Sequence, residues 1–384
     1  MLKDFLPFCK PTISQAAIDE VVECLKSGWI TTGPRVQKFA DMLKDYLGTP
    51  YALPLSSGTA GLHLALLGLH LQPEDEVILP AMTFVASANT IVMAGGKPVF
   101  VDVDINTYNM NIEAIEAAIT PKTRAIMPVH YAGLPVDLDP LYELAKQHNL
   151  RIIEDAAHAI GTEYKGRRIG SFGDTQVFSF HPNKNITSGE GGCVTTSDAD
   201  LAKEISVRRF HGIDREAWNR FSKSGNQHYD VINFGFKYNM LDMQAALAIH
   251  QLPELDHFIE KRTQLANRYL EAFSDWPEWQ LPSAPNYDFR HAWHLFVPLI
   301  NPKAAKMTRD DFMEAMKTYN IGTGFHYDAV HLFTFYREKY GYKPGDFPNA
   351  ESIAERIVSL PLFPNMTEEE QDQVIEAIEK VFRR

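Results

Sequence analysis

Asp155, Lys184 and the stretch Ser56-Ser57-Gly58-Thr59-Ala60-Gly61 are the parts of this 384-residue sequence from which chemistry can be read most directly. Asp155 stands in Glu154-Asp155-Ala156-Ala157-His158, directly after the apolar run Arg151 to Ile153. A carboxylate delivered there by a buried strand can hold the proton of a pyridinium nitrogen, because an adjacent anion raises that nitrogen's pKa. It could equally cap a following helix, and His158 could be a hydrogen-bonded core histidine. Asp155 and His158 would also suit a metal, but no further ligand at suitable spacing accompanies them, so no metal site is expected.

Lys184 lies in Phe178-Ser179-Phe180-His181-Pro182-Asn183-Lys184, where a strand pattern ends, shortly before Ser188-Gly189-Glu190-Gly191-Gly192. A lysine that forms a Schiff base must present its amine at a fixed place and lose its proton through desolvation, and a short tether meets the first demand. Most lysines are solvated surface groups, so the motif alone leaves that reading open. In the third stretch, small residues precede an apolar helical pattern, which lets backbone N–H groups approach an anion at a helix N-terminus. An ordinary Ser or Thr cap would look the same. Ser179 could add a hydroxyl to such an anion, and no Gly-x-Gly-x-x-Gly or Walker pattern competes for the role.

The elements that must position these residues follow a regular beat. Apolar runs at Glu76 to Leu79, Pro98 to Asp102, Ala125 to Val129, Arg151 to Glu154, Gln176 to Phe180 and Gly192 to Thr195 read as buried strands. Helical periodicity marks Ala60 to Leu69, Phe84 to Met93, Ile112 to Ala118 and Leu141 to His148. The alternation predicts an α/β fold with a mainly parallel sheet covered on both faces, and ligands gather at the carboxyl ends of such strands. A longer helical pattern runs from Met240 to about Phe273, interrupted by Pro253, and a strand is expected at His294 to Leu299. The boundary falls near residue 250: a large domain at 1–250 with an N-terminal arm, and a smaller α/β domain at 251–384.

A net charge of -12 argues against a nucleic-acid partner, which would need Lys and Arg against phosphates. Cys9, Cys24 and Cys193, odd in number and without metal-ligand spacing, suit reduced thiols in the cytoplasm. No run of about 18 apolar residues could span a bilayer, and Met1 to Lys10 has no apolar core of a signal peptide, so a cytoplasmic protein without membrane insertion is expected.

In this order, Ser57-Gly58-Thr59-Ala60, Pro80 to Asn89, Glu154 to His158 and Ser179 to Gly192 with Lys184 closely resemble the DegT-type nucleotide-sugar aminotransferases, over essentially the whole chain. Gly28-Trp29-Ile30-Thr31-Thr32-Gly33-Pro34, Pro128 to Gly133, Phe178 to Thr187 and Ser359 to Pro364 look like the branch of that family that makes UDP-4-amino-4-deoxy-L-arabinose. The resemblance implies the aspartate-aminotransferase-like fold, fold type I of pyridoxal 5'-phosphate (PLP) enzymes, and a homodimer with shared active sites. It implies catalytic roles for Lys184, Asp155 and His158. Lys184 would carry the Schiff base, Asp155 would pair with the ring nitrogen and His158 would sit beside the cofactor. Gly58, Thr59, Ala60 and Ser179 would bind the phosphate, and Phe84 would stack on the ring. Gly235-Phe236-Lys237-Tyr238-Asn239 looks like the loop lent to the partner's phosphate, with Lys237 or Asn239 as the contact; many relatives carry Asn and Arg at these two positions.

Trp29, Thr31, Tyr131 and His326 are substrate-side candidates by the same resemblance, although His326 could also be a satisfied core histidine, while Trp293 and Phe296 are expected to pack the small domain. The implied reaction moves an amino group from an amino-acid donor, L-glutamate, to a nucleotide-linked keto-sugar, a UDP-4-keto-pentose, for cell-envelope lipid or polysaccharide. Other acceptors in that reading are a 4-keto-6-deoxyhexose or a 3-keto sugar. The related sugar dehydratases place histidine where Lys184 stands. The remaining rivals are a regulatory protein that binds the cofactor without catalysis, a metal-dependent hydrolase and an acidic interaction module.

Overall fold

The computed structural model describes residues 4–214 and 228–382. Its centre is a seven-stranded sheet of β1 (Tyr51–Leu55), β2 (Glu76–Pro80), β3 (Lys97–Val101), β4 (Thr123–Ile126), β5 (Arg151–Asp155), β8 (Thr175–Ser179) and β9 (Gly192–Thr196). The short strands β6 (Glu163–Tyr164) and β7 (Arg167–Arg168) pair with Phe289–Arg290 outside it. The sheet order is β1-β9-β8-β5-β4-β2-β3. β3, β2, β4, β5 and β8 run parallel, and β9 is antiparallel to both of its neighbours. The expected mainly parallel sheet is therefore observed, with one reversed strand.

Side-chain alternation buries both faces, as a sheet covered by helices requires. Ile78, Ile126, Ile152 and Phe178 enter one apolar cluster, and Val77, Leu79, Ala125, Ile153 and Val177 enter the cluster on the opposite face. A third cluster gathers Leu265, Phe273, Trp279, Phe312, Ile378 and Val381 from the C-terminal part of the chain.

The helices that matter for the site are α1 (Gln15–Lys26), α2 (Pro34–Leu47), α3 (Gly58–Leu67) and α4 (Val85–Met93). α3 is apolar nearly all round because it is buried on most sides, with Ala60, Leu62, Leu64, Ala65 and Leu66 in the second cluster. It can approach the sheet because residue 61 is glycine: a Cβ there would meet Val177 Cγ1 at 2.6 Å. The pattern from Met240 to Phe273 is two helices, Asp242–Gln251 and Leu255–Ala272, joined by a single turn at Leu252–Glu254 that contains Pro253. The strand expected at His294 to Leu299 is reduced to Leu299–Ile300, paired with Trp279–Gln280. Upstream, the backbone turns to other partners: Leu295 N–H donates to the Ala132 carbonyl, and Pro298 has no N–H to give.

Candidate active site

A cavity of about 290 Å3 opens at the carboxyl edge of the sheet. Five strands deliver residues to it: Ser57, Gly58 and Thr59 follow β1, Thr83 and Phe84 follow β2, Val129 follows β4, Ala157 and His158 follow β5, and Ser179 closes β8. Asp155, Lys184, His326 and Tyr327 complete the wall. This is where an open parallel sheet gathers a ligand.

Lys184 lies in the connection between β8 and β9, and hydrogen bonds make that connection rigid. Phe180 N–H donates to the Gly191 carbonyl, Ser188 N–H to the Phe180 carbonyl and Lys184 N–H to the His181 carbonyl. Burial lowers the Lys184 amine to about 8, against the charges of Asp155 and Cys9, which favour the ammonium. Nζ stands 3.5 Å from His294 Nε2.

Asp155 ends β5, and the alternation of that strand sends Glu154 to the other face, where it meets His130 at 2.8 Å. Asp155 is 5% exposed. Ser87 Oγ donates to its Oδ2 at 2.7 Å and Ala157 N–H to its Oδ1 at 3.1 Å. Burial raises its carboxyl above the usual range; the two donors and the charges of Lys184 and His130 oppose that. A buried carboxylate on a cavity wall is stabilised by a protonated ring nitrogen set against it, which is the demand a pyridine cofactor makes.

His158 has both ring nitrogens engaged. Nδ1 accepts from Ala132 N–H at 3.2 Å, which leaves the proton of the neutral ring on Nε2, 2.9 Å from Tyr327 Oη. Burial holds this histidine well below its ordinary pKa, so it stays neutral.

The N-terminus of α3 faces the cavity through Gly58 and Thr59. Ala60 lies behind them, its N–H given to the capping Ser57 Oγ at 3.0 Å. Ser179 is close beside: a Cβ on Gly58 would stand 3.1 Å from Ser179 Cβ. The absence of that Cβ lets the helix end and the hydroxyl share one anion, as a phosphate needs.

Phe84 is 54% exposed at the cavity, its ring 5.5 Å from that of Tyr327. His326 Nδ1 lies 2.7 Å from Ser359 Oγ, and burial pushes this histidine down to about 4. Tyr131 is buried and donates its hydroxyl to the His326 carbonyl, so it supports the wall from behind. Trp29, Thr31 and Asn239 are not part of this cavity's wall. Trp29 Nε1 donates to the Thr32 carbonyl, the Thr31 carbonyl accepts from Asp242 N–H, and Asn239 Nδ2 donates to Thr32 Oγ1 at 2.6 Å. Lys237 Nζ stands over the Phe210 ring at 4.2 Å.

Three cavity partners were missed by sequence reasoning: Ser87, His294 and Tyr327. Tyr327 follows the candidate His326 directly and could have been taken with it; Ser87 fell inside the Pro80 to Asn89 motif without a role; His294 carried no signal beyond its place in an apolar run. Among the described residues, no group of three or more His, Cys, Asp or Glu is placed to hold a metal ion.

The model of the DegT/DnrJ/EryC1/StrS aminotransferase family matches residues 11–379. The chain belongs to that family. An uncharacterized protein of Methanocaldococcus jannaschii is 47% identical over 379 residues, covering 99% of this chain and 98% of the relative. The spore coat polysaccharide biosynthesis protein SpsC of Bacillus subtilis is 44% identical over 380 residues, covering 99% of this chain and 97% of the relative. Among solved structures, the putative sugar aminotransferase Spr1654 of Streptococcus pneumoniae in its PMP form superposes with a TM-score of 0.91 at 32% identity, covering 98% of this chain and 99% of that one. A PLP form of the same protein superposes with a TM-score of 0.90. This member of the DegT/DnrJ/EryC1/StrS family is a PLP-dependent sugar aminotransferase of fold type I.

Proposed function

We propose that the chain transfers an amino group from L-glutamate to the ketone of a nucleotide-linked sugar, and that its acceptor is a UDP-linked 4-keto-pentose. What carries the reading is the convergence of the Lys184 amine, the Asp155 carboxylate and the N-terminus of α3 on one cavity. The choice of a 4-keto-pentose rests on the likeness of Gly28 to Pro34 and Pro128 to Gly133 to the UDP-4-amino-4-deoxy-L-arabinose branch. A role in polysaccharide building is supported by the name that the B. subtilis relative carries.

PLP, when bound, supplies an electron sink for the bond changes at the amino-bearing carbon. In this reading Asp155 keeps the proton on the ring nitrogen, and Ser87 and the Ala157 N–H orient the carboxylate for that task. Gly58, Thr59 and Ser179 hold the phosphate, with Ala60 securing the helix cap behind them. Phe84 and His158 bracket the ring. With both nitrogens of His158 engaged, its part is packing rather than proton transfer. Lys184 Nζ would hold the cofactor and would take and return the migrating proton in both halves of the exchange. His326 and Tyr327 line the substrate side, and Trp29 and Thr31 join them from a second copy of the chain.

The same reading pairs two copies, Lys237 or Asn239 of each reaching the other's phosphate; neither lines the cavity of its own chain. It divides the chain into a large cofactor-binding domain at 1–250 and a smaller one at 251–384, and the third apolar cluster, which apart from Leu6 is drawn from residues 265–381, supports that division.

Purified protein with PLP should show the long-wavelength absorbance of a lysine-bound cofactor, lose it on addition of L-glutamate, and show neither change as Lys184→Ala. The glutamate-treated enzyme, offered UDP-4-keto-pentose, 4-keto-6-deoxyhexose and 3-keto nucleotide sugars in parallel, should aminate the pentose fastest. A faster hexose or 3-keto reaction would replace the acceptor, and an unchanged band in Lys184→Ala would remove the lysine from its role.

A further inference from the structure

We propose that His294 is a positioning residue for Lys184: its Nε2–H is donated to the lone pair of Nζ and holds the lysine as a free amine whenever it is not bound to cofactor. This rests on Lys184 being the reacting lysine and extends that reading to a residue outside the cavity wall.

His294 is 2% exposed, and its Nε2 lies 3.5 Å from Lys184 Nζ, a long contact that a small swing of the amine would close. Its other nitrogen, Nδ1, is buried with no hydrogen-bond partner among the described residues. A neutral imidazole carries one proton, and the two placements differ in cost. A proton on Nδ1 would leave a buried N–H with no acceptor, which folded proteins rarely tolerate; a proton on Nε2 leaves only a bare lone pair at Nδ1 and points the donor at Lys184. Burial keeps the ring neutral, and the positive charges of Lys184 and Arg262 push in the same direction.

The ring is held in place from both sides. Arg262 Nη1 donates to the carbonyls of Trp293 and His294 at 3.2 Å each and to that of Leu362 at 3.0 Å. Asn185, next to Lys184, donates through Nδ2 to the Ala292 carbonyl at 2.7 Å, so the lysine's loop and the histidine's segment move together. The His158 ring, 4.3 Å away, packs the remaining side. Around Lys184, Asp155 and Cys9 favour the ammonium. His158 and His326 are kept neutral by burial, and Arg262 stands behind His294. His294 is thus the neighbour whose hydrogen bond favours the free amine.

The sign of the effect separates this from a filling role. Replacing His294 by leucine removes a donor to the amine and adds no water, so desolvation alone would leave the lysine's titration in place or move it down. Loss of the donor moves it up. Cofactor-free protein is trace-labelled with acetic anhydride across pH, and acetylation at Lys184 is read by mass spectrometry. His294→Leu should move the midpoint upward and cut labelling at neutral pH about tenfold. His294→Gln, which can place an amide N–H where Nε2–H stood, should restore most of it. An unmoved or lowered midpoint in His294→Leu overturns the proposal, as does a Gln variant no better than Leu. Should His294→Leu not fold, nitrogen-15 shifts of the wild-type ring decide: a proton on Nε2 supports the assignment, and one on Nδ1 overturns it. Wild-type protein that captures PLP on Lys184 while these tests fail would leave the lysine's role intact and remove only that of His294.

Discussion

Lys184 and Asp155 are both withdrawn from water, and burial moves them in opposite senses: the amine down to about 8 and the carboxyl up from its usual range. Only the neutral amine attacks a carbonyl, so the rate of PLP capture by cofactor-free protein should climb about tenfold per pH unit below the Lys184 midpoint and level off above it. Stopped-flow absorbance from pH 6 to 10, on the order of one point per half unit, would show this; a flat profile would mean that Lys184 is not the attacking group. Asp155→Asn keeps an acceptor for Ser87 but removes the charge, so kcat should fall about 100-fold or more while the cofactor is retained. A loss of cofactor at unchanged turnover would assign Asp155 to binding instead. These two residues were legible in the sequence because Asp155 ends a strand and Lys184 follows one closely, each within a short motif. Ser87, Tyr327 and His294 were not, since their partners lie 68, 169 and 110 positions away and only folding brings them together.

At the scale of elements, the site depends on how closely α3 sits on the sheet. A Cβ at Gly61 would press on Val177 Cγ1 at 2.6 Å and Val194 Cγ2 at 3.2 Å, both on the strands that flank the Lys184 loop. Gly61→Ala should destabilise the fold by about 1–3 kcal/mol and also weaken PLP binding, because the helix end proposed to hold the phosphate is displaced with it. Thermal unfolding with and without PLP separates the two effects; a lower midpoint with unchanged PLP affinity would show that the helix end does not set the phosphate. The core strands other than β1 were readable as short apolar runs, and α3 to α5 (Ile112–Ala118) as the longer apolar or helically periodic stretches between them. β1, with Pro54 inside Tyr-Ala-Leu-Pro-Leu, did not read as a strand, although it pairs with β9 along its whole length. The apolar run His294 to Leu299 read as a strand, yet its backbone is shared among Ala132, Leu360 and Ile357 rather than one neighbour. Periodicity reports burial, and burial alone does not say which partner takes the hydrogen bonds.

For the whole molecule, the proposed shared-site dimer makes the strongest demand. Ile18, Val22 and Leu25 form an exposed apolar stripe along α1, and Ile30 and Met243 are exposed as well. A stripe of that spacing is suited to cover by a second copy. If Lys237 or Asn239 of one subunit completes the site that holds Lys184 of the other, two defective proteins can repair each other. Lys184→Ala lacks the amine; Lys237→Ala combined with Asn239→Ala lacks the lent contacts. A hybrid dimer would contain one site with both defects and one site with neither. Unfolding and refolding the two variants together should therefore restore about a quarter of wild-type specific activity, since about half of the dimers are hybrids and each has one working site. Separately refolded proteins mixed afterwards are the control. Sedimentation that shows a dimer with no recovery of activity would place each site wholly within one chain, and the segment Gly235 to Asn239 would then serve its own subunit.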